Sequence, residues 1–393
     1  MLPLVLAAAS ALAPVPTPIV DGANAFAEDL YALVAKKPGN VVFSPASIST
    51  ALAMTYAGAQ GETAKQMQKA LHLPATKVHE GFSSLLARLD SNGAGDPELR
   101  VANRLFGQKG SPFEAAFLNT VKTSYAAPLE GLDFAKDPEA ARGTINGWVQ
   151  KQTSDHIKDL FPAQSIKTNA RLVLVNAIYF KGKWATAFDK KQTTDDPFTA
   201  GAASPKVPTM HLTASFPLTE TTDAQVLELP YQFKDKDHSL SMVIVLPKAK
   251  DGAATLGTKR LFELLRTPTS WNREAIVSLP RFSATIPLDL NPTLAALGIT
   301  DAFDEQKANF DGIADKKKLP LFLSRAVHKA FIDVNEVGTE AAAATGVLIA
   351  TPTSVPPSPV VFKADHPFVW AIRDKASNAI LFVGRVDDPS KTS

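Results

Sequence analysis

The stretch Asn335-Glu336-Val337-Gly338-Thr339-Glu340-Ala341-Ala342-Ala343-Ala344-Thr345 decides how this chain is read. Alone it suggests a helix or a linker, because alanine is the best helix former and four stand in a row. Its place argues for something else. A strand-like run, Leu321 to Val334, precedes it, and the apolar Phe362 to Phe368 segment follows. Gly338 gives the junction the backbone freedom of a hinge. From Thr339 to Thr351 there is one charge and no proline. On a period of two, Thr339, Ala341, Ala343 and Thr345 face one way, while Glu340, Ala342, Ala344 and Gly346 face the other. A segment of this kind can enter a sheet as a strand. The proline-studded 352–359 run that follows cannot.

The totals bound what such a loop can belong to. The chain has 393 residues, 45% hydrophobic and 20% charged, with 41 basic against 39 acidic groups. It has the composition of a soluble globular protein with a sizeable core. A net charge of +2 argues against nucleic acid or an anionic membrane as the main partner. The one basic run, Lys316-Lys317-Lys318, reads as a solvated turn. With no cysteine there is no disulfide, no thiolate chemistry and no Cys-ligated zinc. Leu2 to Ala13 is apolar and small, like the core of a secretory signal, but lacks the positive charges expected before it. It is too short to span a bilayer. The expectation is a removable or flexible segment over residues 1–18 and a secreted domain over 19–390.

Periodicity places helices first. Phe26, Leu30, Leu33 and Val34 form a stripe within 19–38. Ser44-Pro45 has the form of a helix start, with a capping hydroxyl followed by proline at the first helical position. Ile48, Leu52 and Tyr56 continue that helix, and Glu62–Leu71 and Val78–Leu89 supply two more. Strands then dominate: Leu99–Phe106, Arg171–Phe180, Leu227–Tyr231, Leu240–Leu246, Ala275–Leu279, Leu321–Val334 and Ile380–Val386. Arg171–Phe180 is apolar throughout, as a strand covered on both faces should be. Helical patterns interrupt at Pro138–Ile157 and Leu290–Leu297. Helices followed by strands predict an α+β fold.

Enzyme signatures are missing. There is no Gly-x-Ser-x-Gly elbow, no His-Glu-x-x-His and no glycine-rich phosphate loop. The seven histidines, at 72, 79, 156, 211, 238, 328 and 366, lack ligand spacing. No catalytic residue, cofactor or metal is expected.

Several segments together resemble the serpin family. They are Asn40-Val41-Val42-Phe43-Ser44-Pro45-Ala46-Ser47-Ile48; Leu174-Val175-Asn176-Ala177-Ile178-Tyr179-Phe180-Lys181-Gly182-Lys183-Trp184; Leu229-Pro230-Tyr231; and Leu297-Gly298-Ile299-Thr300-Asp301-Ala302-Phe303. Val327-His328-Lys329-Ala330, the hinge quoted above, Ala364-Asp365-His366-Pro367-Phe368 and Phe382-Val383-Gly384-Arg385-Val386 complete the series. The resemblance runs from about residue 22 to 389. It implies one domain of three β-sheets and eight or nine helices, with an exposed reactive-centre loop at about 336–361. It also implies a suicide-substrate inhibitor that traps a protease as an acyl-enzyme while its cut loop inserts into the main sheet. The hinge would be Glu336, Gly338, Thr339, Glu340, Ala341, Ala342, Ala343, Ala344 and Thr345.

For the bond that is cut, the commonest family spacing points to Pro352, which serine proteases accept badly. The run Pro352-Thr353-Ser354-Val355-Pro356-Pro357 resembles antitrypsin, with the cut between Thr353 and Ser354. Ala350–Thr351 and Thr351–Pro352 are the alternatives. All are small and neutral, so an elastase-like or subtilisin-like target is expected. In the same resemblance Ser44, Ser47, Asn176 and His328 form the shutter through which the sheet parts, and Trp184 marks where insertion begins. Lys77 and Arg88 are too few for a heparin site. A non-inhibitory carrier, storage or chaperone role, and inhibition of a cysteine protease, are the rival readings. The protein is expected to be monomeric and to partner a protease.

Overall fold

A computed structural model of the chain describes residues 15–89, 97–233, 239–267, 272–315, 317, 319–339 and 358–391. Its helices are α1 (Thr17–Val34), α2 (Pro45–Tyr56), α3 (Gly61–Ala70), α4 (Val78–Leu89), α5 (Ala115–Tyr125), α6 (Pro138–Gln152), α7 (Ala253–Leu256), α8 (Thr258–Arg266) and α9 (Leu290–Ala296). The strands are β1 (Val41–Phe43), β2 (Glu98–Gln108), β3 (Glu130–Leu132), β4 (Leu172–Lys183), β5 (Thr194–Pro197), β6 (Lys206–Glu220), β7 (Ala224–Pro230) and β8 (Leu240–Pro247), then β9 (Asn272–Pro280), β10 (Phe282–Asp289), β11 (Leu323–Asn335), β12 (Gly338–Thr339), β13 (Val360–Lys363), β14 (Phe368–Asp374) and β15 (Ile380–Val386). Among the described residues no helix is long and apolar enough to cross a membrane.

The site is positioned by a sheet ordered β10-β11-β4-β2-β3, into one end of which β12 enters. Its central pair, β11 and β4, runs parallel from Leu323 opposite Leu172 to Phe331 opposite Tyr179. Every residue of β4 from Leu172 to Phe180 is buried, as its apolar run requires. One face lies on α2 and the main core. The other carries a separate cluster in which Ile145 and Val149 of α6 meet Val173, Val175 and Ala177.

The second set of strands runs β1-β15-β14-β8-β7-β6-β9-β13, with β5 on β6. Three sheets were expected, but two of them are joined because β6 is continuous. Its Thr209–Pro217 segment pairs with β9, and Leu218–Glu220 pairs with β7.

Helix α2 is buried along nearly its whole length, and its buried Thr50 and Thr55 hydroxyls donate back to the Ala46 and Ala51 carbonyls. Its start is as expected: the Ser44 Oγ accepts from the Ser47 amide at 3.2 Å, with Pro45 at the first position. Boundaries at α1 and α6 differ from expectation. Thr17 and Pro18, assigned to the N-terminal segment, open α1, whose Ile19 and Val20 are buried. Residues 1–14 lie outside the described residues. Helix α6 stops at Gln152, not Ile157, because Ser154 and Asp155 adopt left-handed backbone at φ 49° and 66°. Of the basic run only Lys317 is described, exposed and in a turn, its amide donating to the Asp315 carboxylate at 2.9 Å; Lys316 and Lys318 lie outside the described residues.

Candidate functional site

The expected loop is held at both ends by sheets. At its C-terminal end β13 pairs with β9, Val360 opposite Ala275. At its start, Gly338 and Thr339 lie between the ends of β11 and β4. Thr339 pairs with Val334 on one side and Gly182 on the other, antiparallel to both. Gly338 and Thr339, two residues into the loop, are therefore already a strand.

Gly338 is needed here for two reasons. Its φ is +152°, and a Cβ would fall 2.0 Å from the Gly182 carbonyl oxygen. Thr339 is fully buried, and its hydroxyl is 3.0 Å from the Tyr231 hydroxyl. Burial pushes Tyr231 well above the ordinary tyrosine range. Trp184 stacks on Tyr231 with ring centroids 4.7 Å apart. The Trp184 indole donates to the Asn335 carbonyl, and its backbone amide to that of Val337, both at 2.9 Å.

Glu336 anchors the turn. It is 1% exposed, and one oxygen receives the Arg281 guanidinium and the Thr193 hydroxyl, the latter at 2.5 Å. Burial works against its charge, but these donors outweigh it and hold the carboxyl below its ordinary range.

Halfway down the seam a polar row crosses three strands. Asn103 of β2 stands opposite Asn176 of β4, which stands opposite His328 of β11. Ser44 and Ser47, at the head of α2, lie against it. The Ser44 amide donates to His328 Nε2 at 3.0 Å, so that nitrogen is the acceptor and the proton sits on Nδ1. Nδ1 donates to the Asn176 side-chain oxygen. The Asn176 amide then donates to the Ser47 hydroxyl at 2.7 Å and to the Asn103 oxygen. Ser47 passes its own proton to Asn103 at 3.3 Å, and Ser44 Oγ donates to the Leu381 carbonyl at 2.6 Å. Burial lowers the His328 pKa to about 3, so the ring is neutral.

The structure thus brings together Ser44, Ser47, Asn176 and His328 as one cluster, and Trp184 with Glu336, Gly338 and Thr339 as another. Glu340 to Thr345, and Ala350, Thr351, Pro352, Thr353 and Ser354, lie outside the described residues. Sequence reasoning missed Asn103, Tyr231, Arg281 and Thr193 as members of these clusters. Asn103 carried a signal, being an amide in the middle of an alternating strand. Arg281 and Thr193 carried none, since their partner is distant in the chain.

The fold and these two clusters define a protein whose principal sheet has a seam with one more strand begun at its end. A profile of the serpins, serine protease inhibitors, matches residues 21–389. The chain is 44% identical over 379 residues to the leukocyte elastase inhibitor of Bos taurus, covering 93% of this chain and 97% of that one. Serpin48 of the insect Tenebrio molitor superposes with a TM-score of 0.82 at 30% identity, covering 94% and 98% of the two chains. The native stressed conformation of Arabidopsis AtSerpin1 gives 0.83 at 26% identity, covering 96% and 100%. This chain belongs to the serpin family.

Proposed function

We propose that this serpin inhibits a protease by inserting its cut loop between β11 and β4. The observation that carries this reading is the pairing of Gly338 and Thr339 with both strands. Insertion replaces one parallel pair by two antiparallel ones, which are slightly more stable per residue. Roughly 12 further residues at about 3.3 Å each make close to 40 Å of strand. At about 0.5–1.5 kcal/mol per backbone hydrogen bond, the gain is on the order of ten kcal/mol, as large as a whole domain's stability.

The register supports the loop's composition. Six residues on from Thr339, counting six back from Gly182 and six back from Val334, bring Thr345 opposite Asn176 and His328 at once. Thr345 shares its face with Thr339, the face of Ser44 and Ser47. Its hydroxyl can take up the donors and acceptors left when the Asn176–His328 bond is broken.

The cut is assigned to Thr353–Ser354, with Ala350–Thr351 and Thr351–Pro352 as alternatives, and the target to a protease with a small apolar pocket. That the bovine relative is named an elastase inhibitor agrees with this. Monomeric action is part of the same reading. Export rests on the apolar 2–13 segment alone, and N-terminal sequencing of protein from culture tests it. The test of function is incubation with elastase-like, subtilisin-like, trypsin-like and papain-like proteases. A complex that survives denaturing electrophoresis with the first two classes is expected. Clean cleavage without a complex in every case would overturn the reading, and fastest inhibition of the trypsin-like enzyme would overturn the specificity.

A further inference from the structure

On the face of the sheet opposite the polar row, three rings meet across the same seam. The His156 imidazole lies flat on Tyr179 of β4, centroids 4.4 Å apart at 5°, and tilted on Phe331 of β11 at 4.9 Å. Tyr179 and Phe331 are the last residues paired in parallel before the strands diverge around β12. Their centroids are 6.0 Å apart. His156 therefore sits on both strands at the point where the seam opens.

Its backbone belongs to neither strand. The His156 amide donates to the Thr153 carbonyl at 3.0 Å, and the Ile157 amide to the Thr153 hydroxyl at 3.2 Å. Thr153 is buried and bonded back to Val149 of α6. Ser154, Asp155 and Asp159 all hold positive φ without being glycine, so this turn is built at some local cost. A second tie comes from β11, where the Lys329 ammonium donates to the Lys158 carbonyl at 2.9 Å.

We propose that His156 is a positioning residue, a clasp that holds β4 and β11 together and sets how fast the loop can enter. The inference rests on the insertion reading above. A new strand pushes its neighbours about 4.8 Å further apart, which moves the Tyr179 and Phe331 rings to roughly 11 Å. The two contacts of 4.4 and 4.9 Å, laid end to end, cannot span that. One must break. The register says when: three residues on from Thr339, Ala342 arrives opposite both Tyr179 and Phe331. Ala342 belongs to the alternate face from Thr339, the one under His156. Ala342 brings only a methyl group beneath the ring there, and the clasp opens within the first three residues of insertion, before the polar row is reached. Trapping competes with release of the cut inhibitor, so a residue acting this early governs the outcome without touching the protease.

The test uses the full chain and a synthetic peptide of residues 339–351, mixed with the native protein and followed by native gel mobility as the peptide anneals into the seam. His156→Ala should anneal roughly three- to tenfold faster than wild type, the loss expected from a broken aromatic pair. His156→Phe, which keeps the ring, should anneal at the wild-type rate. Leu264→Ala in α8 removes a buried side chain far from the seam, and should lower the melting temperature without changing annealing. Equal rates for wild type and His156→Ala, or faster annealing of Leu264→Ala to the same extent, would overturn the clasp alone. Failure of the peptide to anneal to any form would overturn both the clasp and the insertion reading.

Discussion

Asn176 and His328 face one another across the β4–β11 pair, and the neutral imidazole donates its Nδ1 proton to the Asn176 side-chain oxygen. Every other polar group of the row is arranged around that bond. Replacing Asn176 by Ala leaves the His328 donor buried and without its acceptor. An orphaned buried group costs about 1–3 kcal/mol. A fall of that size in the urea unfolding free energy is expected, with an unchanged value counting against the network.

The same ring makes stability depend on pH. Burial holds the His328 pKa at about 3 in the folded protein, against an ordinary 6.5. The unfolded chain therefore takes up the proton first as pH falls. The contribution is complete above about 6.5 and is lost progressively between there and about 3, amounting to roughly 2 kcal/mol by pH 5. Unfolding free energies at pH 7.5 and pH 5 should show a loss in wild type that is smaller by that amount in His328→Gln.

Glu336 ties the turn before the loop to Arg281 and Thr193. Glu336→Lys sets two cations against each other at a buried position and leaves the Thr193 hydroxyl without its acceptor. Because Arg281 is 42% exposed, solvent limits the cost to about 1–3 kcal/mol. Glu336→Gln keeps a hydrogen-bonding oxygen and should lose less. Melting temperatures in the order wild type, Gln, Lys are expected; Lys equal to wild type would deny the anchor.

At Gly338 both backbone angle and space exclude a side chain. Gly338→Ala must push β12 out from between β11 and β4, freeing Thr339 from Tyr231. More inhibitor should then be cleaved per protease trapped, read as a higher stoichiometry of inhibition on titration. An unchanged stoichiometry would mean that the paired start is not where insertion begins.

Much of this was legible where one local pattern sufficed. Ser44-Pro45 declared a capped helix, and the unbroken apolar run of β4 declared a strand covered on both faces. Helix α5 escaped because only Phe117, Val121 and Tyr125 are buried along it, too sparse a stripe among Asn, Thr and Lys. Strand β6 carries Pro208, Pro217 and a mixed burial pattern, having edge and central stretches in one element. The end of α6 is not legible in the sequence, because left-handed backbone at Ser154 and Asp155 leaves no mark in composition. The polar row was half visible: Asn176 and His328 stand out in apolar strands, but only the register shows Asn103 completing it.

The central claim is that the loop becomes a strand of the sheet, and the most direct measurement is thermal unfolding before and after a single cut in the 350–354 region. Insertion worth on the order of ten kcal/mol should raise the melting temperature by roughly 10 °C or more for a chain of this size. A cut protein that melts where the intact one does, or below it, would contradict the account.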